Sequence, residues 1–155
     1  MSDAFETHFI TAADKPALVA LSNPEWIEAS KKVLKELGYK SHVAATHPEF
    51  TTRFSQVRYQ VVITEELFAS GKPDENLTLK SLQAMPVSQR RHATIILFGN
   101  SYKTFAPMQA FQNSVHAVIN GAELPMLKQL VEKAVADNDL FLYSFRDVQK
   151  RLSSL

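Results

Sequence analysis

Short apolar runs alternate with amphipathic stretches along almost the whole chain. Ala17-Leu18-Val19-Ala20-Leu21 is an unbroken apolar run, then Ser22-Asn23 is polar, then Pro24-Glu25 opens a helical pattern. This is how a buried parallel strand reads as it turns into the first helix of an α/β unit. Asn23 can cap that helix, Pro24 suits its first position and Glu25 favours its positive end. Trp26, Ala29, Val33 and Leu37 form one stripe, Lys31, Lys32, Lys35 and Glu36 face away from it, and Gly38 ends it as a left-handed cap.

The alternation continues. Residues 41–45 read as a short second strand. A helix capped by Thr46 or His47 follows, with Phe50, Phe54 and Val57 on its apolar face. Residues 59–64, β-branched and apolar, form a central strand ending at Glu65-Glu66. A helix over about 76–85 is stopped or kinked by Pro86. Residues 93–98 form the fourth strand, ending at Gly99-Asn100-Ser101. Pro107 starts a helix with Met108, Phe111 and Val115 on one side. Residues 116–120 form the fifth strand, and the next helix turns Leu127, Leu130, Val131, Ala134 and Val135 inward. Beyond Asp137-Asn138-Asp139, the spacing of Phe141, Phe145, Val148 and Leu152 predicts a separate amphipathic helix. Residues 1–16 are a leader, in which Phe5 to Ile10 could add an edge strand.

Strands and helices at this pitch imply a three-layer α/β/α doubly wound fold. Its five strands are parallel with right-handed crossovers, and an extra C-terminal helix follows them. The expected organisation is a leader to residue 16, one α/β unit over 17–136, and the C-terminal helix over 137–155, packed on that unit or extending it.

Composition narrows the functions. At 155 residues the chain suits one domain that buries roughly two-thirds of its unfolded surface. With 17 basic and 16 acidic side chains the net charge is +1, so no general pull toward nucleic acid or membrane is expected. The absence of cysteine excludes disulfides and thiol chemistry and suits the cytoplasm. No apolar run is long enough for a membrane span and the N-terminus is not a signal peptide.

Leu18-Val19-Ala20-Leu21-Ser22-Asn23-Pro24-Glu25, Leu34-Lys35-Glu36-Leu37-Gly38-Tyr39 and Tyr59-Gln60-Val61-Val62-Ile63-Thr64-Glu65 carry a resemblance. Over about residues 15–136 the chain resembles the receiver domain of bacterial two-component response regulators, which implies a flavodoxin-like sheet with strand order 2-1-3-4-5. The resemblance implies a phosphoacceptor pocket at the carboxyl ends of the strands, and there the chemistry departs. Leu21 and Ser22 stand where receivers carry two acidic Mg²⁺ ligands. Glu65 replaces the acceptor aspartate, Gly99 the hydroxyl residue and Asn120 the lysine, with Gly121 where a proline usually follows. Mg²⁺ needs hard oxygen ligands, and a longer acid misplaces the attacking oxygen. The expectation is a degenerate pseudo-receiver that is not an enzyme and holds no metal or cofactor. In it Glu65 is either a fixed mimic of the acyl phosphate or, the favoured reading, a solvated carboxylate.

The resemblance also points to the face made by the Pro107 helix, the 116–120 strand and the 127–135 helix as a surface for a protein partner or a second copy. Phe105, Met108, Phe111, Phe141 and Phe145 there exceed what one sheet face should consume. The competing reading folds the C-terminal helix back and buries them. The alternative function is a small-ligand or enzymatic domain using the crevice near Ser22, Glu65 and Asn120. A crevice filled by Leu21 and its neighbours would favour the interaction module, and an open polar one the alternative. His42 and His47 lack a third metal ligand, and Gln89-Arg90-Arg91-His92 reads as a solvated loop. Ser22 has no activating histidine.

Overall fold

The computed structural model describes residues 10–154, so the suggested edge strand at Phe5–Ile10 lies almost wholly outside the described residues. The five expected strands are β1 (Pro16–Ala20), β2 (Lys40–Val43), β3 (Val61–Glu65), β4 (Thr94–Phe98) and β5 (Ala117–Ile119), all parallel in the order β2-β1-β3-β4-β5. The helices are α1 (Pro24–Glu36), α2 (His47–Gln56), α3 (Leu77–Ala84), a single turn α4 (Val87–Arg90), α5 (Pro107–Gln112) and α6 (Leu127–Ser153). β1, β3 and β4 are buried along their whole length, which is why they read as continuous apolar runs.

Each sheet face has its own core. Leu18, Phe50, Phe54, Tyr59, Val62, Leu82 and Leu97 pack under α2, α3 and α5. Val19, Leu21, Trp26, Leu34, Ile63, Phe98 and Val131 pack under α1 and α6. The caps follow the sequence. Asn23 accepts from the Glu25 and Trp26 amides, and Thr46, rather than His47, caps α2 through the Glu49 amide. Gly38 closes α1 at φ +87°, where a side chain would be strained. Pro86 ends α3, and the chain restarts at once as α4.

Three expectations are corrected. In α1 the deepest residues are Trp26, Ser30 and Leu34, while Ala29, Val33 and Leu37 only flank them. In α5 the inward residue is Ala110. Met108 and Phe111 point to solvent, and Val115 lies beyond the helix and is buried. The chain also does not break at Asp137-Asn138-Asp139, and α6 runs 27 residues through it. Asn138 prefers caps and turns when its amide seeks the local backbone. Here that amide instead donates to Thr94 Oγ1 at 2.9 Å, anchoring α6 to β4, so the helix continues.

Candidate functional site

The parallel register aligns the strand ends, setting Ala20 beside Thr64 and Glu65 beside Phe98, which in turn lies beside Ile119. The loops leaving those ends bring Leu21, Ser22, Glu65, Gly99 and Asn120 to one edge of the sheet, as ligand crevices of such folds are built. What each residue does there differs from the sequence reading.

Glu65 is buried rather than solvated, only 7% exposed. Its Oε1 accepts from the Ser22 amide and from the Asn23 amide, the latter at 3.0 Å. These are free amides at the start of α1, where a negative charge is favoured by the helix dipole. The same residue that ends β3 therefore clamps the β1–α1 turn. The extra methylene of Glu over Asp is what spans that gap. The Asn76 amide holds the backbone behind it, donating to the Glu65 and Glu66 carbonyls at 2.9 and 3.0 Å.

The other residues are engaged as well. Ser22 Oγ accepts from the Ala69 amide at 2.8 Å, tying the β1–α1 turn to the loop after β3. The Asn120 amide donates to the Tyr102 carbonyl at 2.8 Å and the Asn100 carbonyl at 3.3 Å, and its Oδ1 accepts from the Ala122 amide. Gly99 lies against the Tyr102 ring, where an added Cβ would come within 2.7 Å of the ring carbons. An added Cβ on Gly121 would collide with Trp26 Cζ2 and come 2.8 Å from Asn100 Oδ1. These glycines are required by two aromatic rings, Tyr102 and Trp26, that sequence reasoning did not connect to the site. Burial pushes the Tyr102 hydroxyl pKa well above its usual value, with neighbouring Glu66 adding to the shift.

The crevice is open, contrary to the expectation of one filled by Leu21. Leu21 turns down into the core with Trp26. The cleft, about 490 Å³, is lined by Trp26, Glu65, Glu66, Phe98, Asn100 and Ser101, among others. Ser101 Oγ donates to Glu66 Oε2 at 2.6 Å across its mouth. The residues present do not fit Mg²⁺. The strand-one positions carry no carboxylate, Glu65 Oε1 is taken by two amides, and no group of three or more His, Cys, Asp or Glu among the described residues could hold a metal.

No protein-family model matches this chain, and neither does any curated protein. Solved structures do. The receiver domain of a signal-transduction histidine kinase from Syntrophus aciditrophicus superposes with a TM-score of 0.61 at 17% identity, over 79% of this chain and 91% of that one. A CheY-like receiver domain protein from Methanospirillum hungatei gives 0.61 at 14%, over 82% and 98%. The receiver domain of a sensor histidine kinase from Pseudomonas aeruginosa, whose active-site cleft coordinates magnesium, gives 0.60 at 14%, over 80% and 99%. The chain has the receiver fold.

The second set of residues singled out from the sequence is divided between α5, the loop before it and α6. Met108 and Phe111 are exposed on α5, Phe111 at 80%. Phe105 is only half-buried, lining a groove of about 240 Å³ with His116, Ala134, Asn138 and Phe141, and Lys133 Nζ lies 5.2 Å from its ring centre. Phe141 and Phe145 are exposed, so α6 does not fold back to bury them. Among the described residues no helix is long and apolar enough to cross a membrane. The histidines considered for a metal are separated in role. His42 bonds to the Tyr59 hydroxyl at 2.6 Å, and His47 Nδ1 to Thr78. The basic run is dispersed too. Arg90 donates to the Met85 and Ser114 carbonyls, Arg91 lies over the Phe145 ring and His92 stacks on Phe54.

His116 carries a pH dependence. Its outer edge is open to solvent, but its inner Nδ1 accepts from the Ile95 amide at 2.9 Å. Burial, and then the Arg90 guanidinium, hold its pKa down to about 4. Because the unfolded ring titrates near about 6.5, the unfolded chain binds the extra proton first. The His116 contribution is therefore complete above that value and is lost as pH falls toward 4. Urea midpoints at pH 7 and pH 5 should fall by less in His116→Gln than in the parent chain.

Proposed function

We propose that this chain is a phosphorylation-independent, receiver-like interaction module of a bacterial signalling system. In this reading residues 17–136 form the receiver-like unit, and the C-terminal helix extends it toward a protein partner or a second copy. The observation that carries the proposal is Glu65, whose carboxylate accepts from the Ser22 and Asn23 amides where a receiver would keep a free acceptor and a metal. Gly99 and Asn120 support it, since the first is covered by Tyr102 and the second is spent on the surrounding loops. A fixed carboxylate gives the crevice one permanent state, so information must pass through contacts elsewhere. The exposed apolar residues of α5 and α6 are suited to such contacts.

The test is a titration of labelled protein with Mg²⁺ and beryllofluoride, followed by two-dimensional NMR. The expected result is no saturable shift at millimolar concentrations. Saturable shifts at Glu65, Gly99 and Asn120 would overturn the proposal, because they require a metal and phosphoryl site at the strand ends.

The open cleft between Trp26 and Glu66 is the outcome that favours the alternative over a crevice filled by Leu21, and it supports a second reading, a site for a small polar ligand. Its acidic wall and aromatic floor favour a cation, and amine titration of the Trp26 fluorescence tests it.

A further inference from the structure

A second cavity lies at the other end of the sheet from the crevice. Arg58 leads into β3 and His92 into β4, so both stand at the amino ends of strands whose carboxyl ends carry Glu65 and Phe98. The cavity holds about 420 Å³ and is lined by the second halves of α2 and α3, by α4 and by His92. The break at Pro86 helps to shape it, because the turn that follows supplies Ser88 and Gln89 to the wall. Arg90 fixes that turn by donating to the Met85 and Ser114 carbonyls at 3.2 and 2.9 Å. The cavity is therefore built by the fold.

Its floor is aromatic. Phe50 and Phe54 stack with ring centres 5.5 Å apart and planes 11° apart, and His92 continues the stack on Phe54 at 5.5 Å and 26°. Val57 and Met85 pack against the same core. Walls of this kind suit a flat apolar body.

The polar groups beside that floor are unspent. Both ring nitrogens of His92 are buried and have no hydrogen-bond partner among the described residues, which costs the fold stability. Burial, and then the nearby Arg58 guanidinium, hold the His92 pKa below its ordinary value. The ring is thus neutral at pH 7 and keeps one N–H to donate. His92 is only partly buried as a residue, and turning a nitrogen toward the cavity breaks no hydrogen bond. Arg58 is exposed and makes no hydrogen bond or ion pair among the described residues. No Asp or Glu lines the cavity to neutralise it.

We propose that this cavity binds a small aromatic carboxylate, its ring lying along the Phe50–Phe54–His92 stack and its carboxylate held by Arg58 and a His92 N–H. A carboxylate matches the planar fork of a guanidinium. A cation would meet Arg58 with no acid to offset it, and an uncharged ring would leave Arg58 unused. The site shares no residue with the crevice, so it goes beyond the interaction reading and is judged separately from it.

The experiment is a titration of the labelled intact chain with naphthoate, read by two-dimensional NMR. Saturable shifts at millimolar concentrations are expected over residues 51–58 and 81–92. Naphthol (the ring without the charge) and hexanoate (the charge without the ring) should each bind at least about 10-fold more weakly. Arg58→Gln should weaken naphthoate by at least about 10-fold with an unchanged melting temperature, since the side chain is exposed and unpaired. His92→Phe keeps a ring on Phe54 and removes both unpaired nitrogens, so it should melt no lower than the parent yet bind naphthoate several-fold more weakly. The absence of saturable shifts overturns the proposal. So does equal binding of naphthol or hexanoate, or an affinity that Arg58→Gln leaves unchanged. Shifts gathered at Trp26 and Asn100 would put the acid in the crevice and overturn it as well. The beryllofluoride titration reads the other end of the sheet and is indifferent to each of these results.

Discussion

Replacing Glu65 with Ala should lower stability by about 3 kcal/mol, because two amides then lose a charged acceptor that is itself buried at the base of the cleft. Both hydrogen bonds end on one oxygen, Oε1, from the Ser22 and Asn23 amides. That detail separates the variants. Glu65→Gln keeps a carbonyl oxygen in place and loses only the charge, so it should cost about 1 kcal/mol. Glu65→Asp keeps the charge but retracts it by one methylene, and should fall between the two. For a chain of this size the Ala variant should melt about 6 to 12 °C lower. Calorimetry on the three variants checks the order, and a loss below about 1 kcal/mol for Ala would mean that the two amides are already satisfied by water.

Gly121→Ala should be the second most damaging small change. The new methyl group would meet the Trp26 ring and Asn100 Oδ1, and neither can simply swing away. Trp26 is held edge-on to Phe98 with ring centres 5.7 Å apart, and its ring belongs to the core under α1 and α6. Forcing a methyl into such packing costs about 1 to 3 kcal/mol. Trp26 is the only tryptophan, so its emission should shift to the red as the ring is pushed toward solvent. Gly71→Ala is the matched control, because an added Cβ there meets nothing within 4 Å. An unchanged spectrum and melting curve for Gly121→Ala would show that the Trp26 ring has room to move.

The sheet was legible because burial on both faces leaves its mark on composition. β1, β3 and β4 are buried throughout and, apart from Thr64, Glu65 and Thr94, apolar, as a strand covered on both faces requires. The caps at Asn23, Thr46 and Gly38 were legible for the same local reason, since each satisfies a need of its own turn. The site was legible as a set of positions and illegible as a set of interactions. That Glu65 crosses to the Ser22 and Asn23 amides depends on a strand 42 to 43 residues away, and spacing along the chain carries no trace of it. The same holds for Gly99 under Tyr102 and Gly121 under Trp26. Each glycine stood where the resemblance implied another residue, a hydroxyl for Gly99 and a proline for Gly121, and each is the space a ring requires. The false break in α6 had a similar origin. Asp137-Asn138-Asp139 reads as a cap by propensity, and only the Asn138–Thr94 contact shows why the helix continues.

The continuity of α6 makes it a lever. About fifteen residues extend beyond Asn138, an arm of roughly 22 Å at 1.5 Å per residue. A tilt of about 10° at the sheet would then carry the far end through roughly 4 Å, the scale on which packed helices exchange one arrangement for another. The fulcrum is the Asn138–Thr94 hydrogen bond on β4, the strand that ends at the wall of the cleft. A ligand or contact that displaced β4 slightly would be read at the other end of the molecule as a swing.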